Sequence, residues 1–307
     1  MTSFNDVAQH FSDLHKNWVK ACQAIDPSAT VQFDNLNTDK HSNHVCAISN
    51  GQLIEKAAIH FSSLEGKQLP PAATDKFPDY HHRRFQVTGM SLIIHPLNPH
   101  APTVHANCRF FYIPADQEQS CLWWFGGGAD LTPHFVYEAD ALMWHTALRE
   151  VCDSLEENIH SQLKSWCDDY FYLPHRNETR GIGGIFFDYL NNHPIDRCLT
   201  FCSQLLAVTK HCYLDILANR HNSPFSQSDI DFKRLRHGRY AEFNLLYDRG
   251  TRFGLQYGSR TDSVLNSMPP HASWAYGITH HSQKQLQPYL VKNYPWLETE
   301  KSSSTET

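Results

Sequence analysis

Residues Thr88–Phe135 read TGMSLIIHPLNPHAPTVHANCRFFYIPADQEQSCLWWFGGGADLTPHF. From Thr103 to Tyr112 the period is two. Val104, Ala106, Cys108, Phe110 and Tyr112 share one side of a strand, and His105, Asn107, Arg109 and Phe111 the other. The second set is a polar stripe with about 7 Å between successive residues. Such a stripe can grip a carboxylate through Arg109 and deliver a proton from His105, although a solvated strand face has the same pattern. His95 ends the neighbouring apolar run Ser91–Ile94. If residues 96–102 fold the two runs into a hairpin, the two histidines approach each other.

Working outward, Phe4, Val7, Phe11, Leu14 and Trp18 trace one face of an amphipathic helix that ends at Asp26-Pro27. Residues 34–44, DNLNTDKHSNH, are polar and are expected as a loop. Asn50-Gly51 between two apolar runs signals a β-hairpin. Residues 69–80 carry three prolines and read as a surface crossing. Strands are expected at 85–94, 103–113 and 122–125. Gly126-Gly127-Gly128 lacks the spacing of a phosphate loop and suits either close backbone approach or a plain turn.

One long helix is expected over 141–166, with His145 beside its buried face, and another over 199–218. Between them, Arg176 and Arg180 precede a glycine-rich entry into a strand ending near Asp188. Alternation over 240–247, an Asp-Arg-Gly turn and a return over 253–257 predict a second hairpin. A short helix follows, capped at Thr261. Residues 298–307 are a polar tail, leaving 1–297 as one domain. Hairpins interleaved with helices point to the α+β class with a mainly antiparallel sheet.

Composition narrows the function. With 307 residues and 41% hydrophobic content the chain is an ordinary globular protein. A net charge of −6 argues against phosphate-driven nucleic-acid binding. The apolar runs are too short to span a bilayer, and no charged-then-apolar leader pattern is seen. Nine cysteines without a CxxC pair suit free thiols in a reducing cytoplasm. Cys198 and Cys202 lack a third cysteine at Leu205, which argues against a radical-type iron–sulfur site.

Four segments carry a resemblance: SLIIHPLNPHAPTVHANCRFF, WWFGGGADLTPHF, FYLPHRNETRGIGGIFFDYL and GRYAEFNLLYDRGTRFGLQYGSRTDSVLNSMPP. Together they resemble the oxygen-dependent coproporphyrinogen III oxidases of haem synthesis, from about Gly51 to about Trp274. The resemblance implies a broad, flat antiparallel sheet with helices on both faces. It also implies a homodimer, with contacts in the 239–270 segment. The implied reaction converts two propionates of coproporphyrinogen III to vinyl groups, giving protoporphyrinogen IX, with O₂ as oxidant and no organic cofactor. A tetra-anionic substrate needs cations, and ten of the fourteen arginines lie between 176 and 260, where cleft walls are expected.

By the same resemblance His105 is the proton donor and Asp188 the acid facing the pyrrole N–H groups. Ser91, Asn107, Cys108, Arg109, Gly258, Ser259 and Arg260 are substrate contacts. Bacterial members imply a metal, manganese by family, on His95, His105, His145 and His175. The chain departs from the family where DNLNTDKHSNHV replaces a glycine run, where Cys108 replaces a branched aliphatic, and where Tyr189 replaces a second aspartate. These departures keep open a catalytically weak tetrapyrrole-binding homologue. The histidines keep open a metal-dependent oxygenase.

Overall fold

The computed structural model describes residues 2–38, 41–69, 74, 76–117, 119–256, 260–277 and 279–297. Seven strands form one antiparallel sheet: β1 (Thr30–Asn37), β2 (His41–Ser49), β3 (Ile54–Gly66), β4 (Phe85–Pro96), β5 (Thr103–Ile113), β6 (Leu122–Thr132) and, beyond the short pair β7 (Tyr172–Leu173) and β8 (Glu178–Thr179), β9 (Gly183–Leu190). The order is β1-β2-β3-β4-β5-β6-β9. The domain is α+β, with helices around the sheet. The polar tail at 298–307 lies outside the described residues.

Alternation sorts the side chains of the sheet. Cys46, Ile59, Leu92, Ala106 and Ile185 face one side, which α1 (Phe4–Ile25) and α4 (Ile195–Arg220) cover with Phe11, Trp18, Phe201 and Leu205. Ser3 and Asp6 close a capping box at the start of α1. Behind these lies α2 (Glu138–Leu155), packed on α4. The opposite face carries His105, Asn107 and Arg109 and is partly roofed by α3 (Ile159–Tyr170), α5 (Gln227–Leu246), α6 (Arg249–Gln256) and α7 (Thr261–Leu265).

Several segments differ from expectation. Most of the polar stretch 34–44 is strand and not loop: residues 34–37 lie in β1 and 41–44 in β2, and Thr30–Asn37 pairs in full register with Ser42–Ser49. Its side chains are polar because β1 is an edge strand and β1 is mostly exposed. The strand at 122–125 runs on to Thr132, so the three glycines sit inside a strand and not in a turn. The helix expected over 141–166 breaks after Leu155, where Glu156 is extended and Asn158 is left-handed at φ 63°. In place of the hairpin expected over 240–257, the described residues to 256 hold the end of α5 and then α6, and residue 257 lies outside them. The buried face of α5 includes Lys233, Arg236, His237 and Asn244, and these polar residues hide its helical period.

Candidate active site

The register of three central strands, β4, β5 and β6, builds three transverse rows on the partly open face. Ile93, His105 and Asp130 align in one. Ser91, Asn107 and Gly128 align in the next. Gly89, Arg109 and Gly126 align in the third. On β5, His105, Asn107 and Arg109 all remain half-buried, so the stripe is open between buried neighbours.

In the first row His105 Nδ1 donates to Asp130 Oδ1 at 2.9 Å. A carboxylate only accepts, so in neutral His105 this bond places the proton on Nδ1 and leaves Nε2 as the acceptor nitrogen. Asp130 is buried, and Arg180 Nη2 reaches both its oxygens at 2.9 Å. Burial alone would raise the Asp130 carboxyl, but Arg180 and the His105 N–H hold it below its usual value. Arg180 is boxed by the rings of Phe171, Tyr240 and Phe243 at 4.1, 4.5 and 4.8 Å. Its Nη1 donates to Asn244 Oδ1 at 2.9 Å.

In the third row Arg109 Nη2 lies 2.8 Å from Asp188 Oδ1, and Arg249 Nη2 lies 3.3 Å from Asp188 Oδ2. Gly126 makes room for this pair. A Cβ there would meet Asp188 Oδ1 at 2.6 Å and Arg109 Nη2 at 2.7 Å. The guanidiniums remain 35% and 48% exposed while the carboxylate is buried, so both cations keep an open side beside a buried acid.

Residues 260–268 are tied across the outer strands. Arg260 pairs with Asp34 of β1, and Lys56 Nζ donates to Met268 O at 2.9 Å. His95 Nε2 donates to Ser267 O at 3.0 Å. Its Nδ1 then accepts from Thr103 Oγ1 at 3.1 Å. Arg260 thus reaches the cleft side of the sheet from its edge. Gly258 and Ser259 lie outside the described residues.

Two sets of expected residues need correction. The Cys108 thiol faces the apolar side, where it is buried and its Sγ donates to Cys202 O at 3.8 Å; it cannot touch a ligand on the opposite face. The four histidines do not converge. His95 uses both ring nitrogens. His145 is buried against Trp296 and bonds Ile182 O at 3.2 Å. His175 bonds Glu242 and Tyr247 at 2.7 and 2.8 Å. Among the described residues no group of three or more histidine, cysteine or acidic side chains is placed to hold a metal ion. The donor set therefore does not fit the expected four-histidine centre.

The arginine count was only partly informative. Arg180, Arg249 and Arg260 face or support the cleft, whereas Arg220 pairs with Asp140 and Arg236 with Glu178 elsewhere. Arg249 and Asn244 reach the site from helices in a segment whose alternation predicts a strand hairpin. Arg180 stands out in the sequence beside its glycines, whereas Asp130 joins His105 only because β6 continues through the glycines.

The chain is similar to known proteins along most of its length. The family profile described as coproporphyrinogen III oxidase matches residues 6–296. An oxygen-dependent coproporphyrinogen-III oxidase of Francisella tularensis subsp. novicida is 48% identical over 252 residues, covering 81% of this chain and 82% of that protein. A protein of the same name from Coxiella burnetii is 51% identical over 227 residues, covering 74% and 73%. On a match across nearly its whole length, the chain belongs to the coproporphyrinogen III oxidase family.

Proposed function

We propose that this chain is an oxygen-dependent coproporphyrinogen III oxidase, converting two propionates to vinyl groups to give protoporphyrinogen IX in haem synthesis. The observation that carries this reading is one strand face. It presents an acid-oriented imidazole, His105, two positions from an amide, Asn107, and four from the cation Arg109.

Each propionate, R–CH₂–CH₂–COO⁻, loses CO₂ and a hydride equivalent to become R–CH=CH₂. Two propionates release four electrons. With two protons these reduce one O₂ to two H₂O, so atoms and charge balance. Arg109 and Arg249 would bind propionate carboxylates, since an unpaired carboxylate leaving water is costly. Arg260 would receive another from the strand edge, and Ser91 and Asn107 would line the floor. Asp188, already held between two arginines, would accept from pyrrole N–H groups and favour positive charge there. His105 would supply a proton from its open edge, and Asp130 would stabilise the imidazolium that precedes the transfer.

Dimerisation through 239–270 belongs to the same reading. It is supported by the exposed Leu245, Leu246 and Leu255 in that segment. A reducing cytoplasmic setting is supported by nine unpaired cysteines. No helix among the described residues is long and apolar enough to cross a membrane.

The test is to mix protein and coproporphyrinogen III anaerobically, admit O₂, and follow products by chromatography with and without a chelator. Protoporphyrinogen IX formed only after O₂ is the expected result. Binding without turnover would overturn the catalytic reading in favour of a tetrapyrrole-binding homologue. Turnover abolished by the chelator would require metal ligands other than a four-histidine set, because these four histidines do not converge.

A further inference from the structure

At the end of β9 the ladder changes register. Gly127 pairs with Phe187 and Phe125 with Leu190, so Asp188 and Tyr189 together oppose Gly126. This is a β-bulge, which can re-aim a side chain beside a site. Phe187 and Leu190 both pack in the main core on the apolar side. Asp188 and Tyr189 are both turned to the cleft side: Asp188 meets Arg109 and Arg249, and Tyr189 joins the Trp124 and Phe111 cluster. Tyr189 has φ 56°, a conformation that bulky side chains rarely adopt.

What the strained turn places on the cleft side is a ring that carries a cation. Phe77 packs on Trp124 at 5.1 Å and on Tyr189 at 5.8 Å, docking the segment before β4. That docking sets Lys76 Nζ 3.8 Å from the centre of the Tyr189 ring. Lys76 is exposed, and no ion pair to it is found among the described residues. A ring face holds an ammonium without neutralising it. Among the described residues Arg109, Arg249 and Lys76 bring three cations to this end of the sheet, and Asp188 is the carboxylate that the two arginines contact.

We propose that Lys76 and Tyr189 form an additional carboxylate-reading wall beside Arg109 and Arg249. Lys76 is a substrate-binding cation, and Tyr189 is the positioning residue that holds it. Cations that share one contacting carboxylate suit a ligand that brings carboxylates of its own. The inference rests on the tetracarboxylate substrate proposed above and adds to it a wall in which Tyr189 stands where the family places an acid.

The test pairs two readouts with thermal melting for wild type, Tyr189→Phe, Tyr189→Asn, Lys76→Met and Lys76→Arg. One readout is steady-state turnover of coproporphyrinogen III. The other is the Kd for the oxidised tetracarboxylate coproporphyrin III and for the dicarboxylate protoporphyrin IX, by fluorescence quenching. Asparagine tolerates the left-handed conformation, so Tyr189→Asn is expected to keep or raise Tm. It is nonetheless expected to raise KM, and the Kd for the tetracarboxylate, about fivefold or more, with a smaller change in kcat. Lys76→Met is expected to do the same, with less effect on the dicarboxylate. Tyr189→Phe and Lys76→Arg are expected to restore most of the affinity. Unchanged affinity in both Tyr189→Asn and Lys76→Met would overturn the proposal. So would losses equal for both porphyrins, or losses that follow a fall in Tm. Wild-type protein that binds but does not turn over would count against the oxidase reading alone, because the Kd series still decides the wall.

Discussion

His105 and Asp130 face each other across the β5–β6 ladder, joined by a 2.9 Å hydrogen bond, with Arg180 closing the far side of the carboxylate. Asp130 thereby has two duties. It fixes the His105 tautomer, and it balances an arginine that is buried among three aromatic rings.

Asp130→Asn separates these duties only in part. The amide can still accept from His105 but carries no charge to stabilise the imidazolium. We expect kcat to fall on the order of 100-fold, the lower range for loss of acid–base assistance. Arg180 is left buried without its counter-charge, a change that costs about 3–5 kcal/mol when one partner of a buried pair is removed. Stopped-flow turnover and urea denaturation on the same sample measure both. Unchanged kcat with lowered stability would confine Asp130 to structure.

Gly126→Ala tests the space under Arg109 and Asp188. The new methyl would lie within 2.7 Å of both side chains, and neither can withdraw without breaking the pair. KM is expected to rise about tenfold, equivalent to about 1.4 kcal/mol of binding. Overpacking is expected to lower stability by about 1–3 kcal/mol. A crystal structure with the ion pair intact and an unchanged KM would contradict this.

How much of this site could be read in the sequence depended on where polarity was spent. The β5 stripe is legible because its alternation is strict and its polar side stays half-buried between buried neighbours. The 34–44 strand region was not, since an edge hairpin needs only backbone pairing and can leave its side chains to solvent. The α5 helix was hidden for the opposite reason. Lys233 is buried against Glu55 and Pro96 O, at 2.5 and 2.6 Å, and Arg236 is buried with its Nη1 on Glu178 at 2.7 Å. An apolar-period search cannot anticipate partners more than fifty residues away in sequence. The Asp130 connection was lost when β6 was ended at its glycines.

Glu242 gathers four donors: His175, Arg176, Arg239 and Trp274. Burial opposes its charge, but Arg176, His175 and Trp274 lead in lowering its pKa to about 2 from 4.5. A depressed acid stabilises the fold above its unfolded pKa, and that contribution is lost as pH falls from about 4.5 through about 2. Arg176 is partly solvated, so Glu242→Gln is expected to cost about 1–2 kcal/mol at pH 7. Denaturant titrations should show the difference between wild type and variant shrinking toward pH 3. A difference that persists undiminished there would assign the loss to packing.

The buried histidines set a higher and steeper acid limit. His95, His134, His145 and His237 are at most 2% exposed, and burial is the main cause that lowers each below the ordinary 6.5, His95 to about 3. Unfolding exposes imidazoles that take up a proton below about pH 6.5, while the folded protein keeps them neutral. The unfolded state then binds more protons, so stability is intact above pH 6.5 and falls as the pH drops. Each such histidine contributes up to about 1.4 kcal/mol per pH unit, so four together outweigh Glu242 between pH 6.5 and 5. His145 is the cleanest to remove. Its Nδ1 has no partner among the described residues, and its ring stacks on Trp296. His145→Phe keeps the stack and gives up one bond to Ile182 O. It is expected to lower stability at pH 8 by about 1 kcal/mol, the net worth of one hydrogen bond. It is also expected to flatten the pH dependence between 6.5 and 5 by about one proton. Urea midpoints across that range measure the slope directly. A variant as acid-sensitive as wild type would mean that the His145 site opens to take up its proton before the protein unfolds.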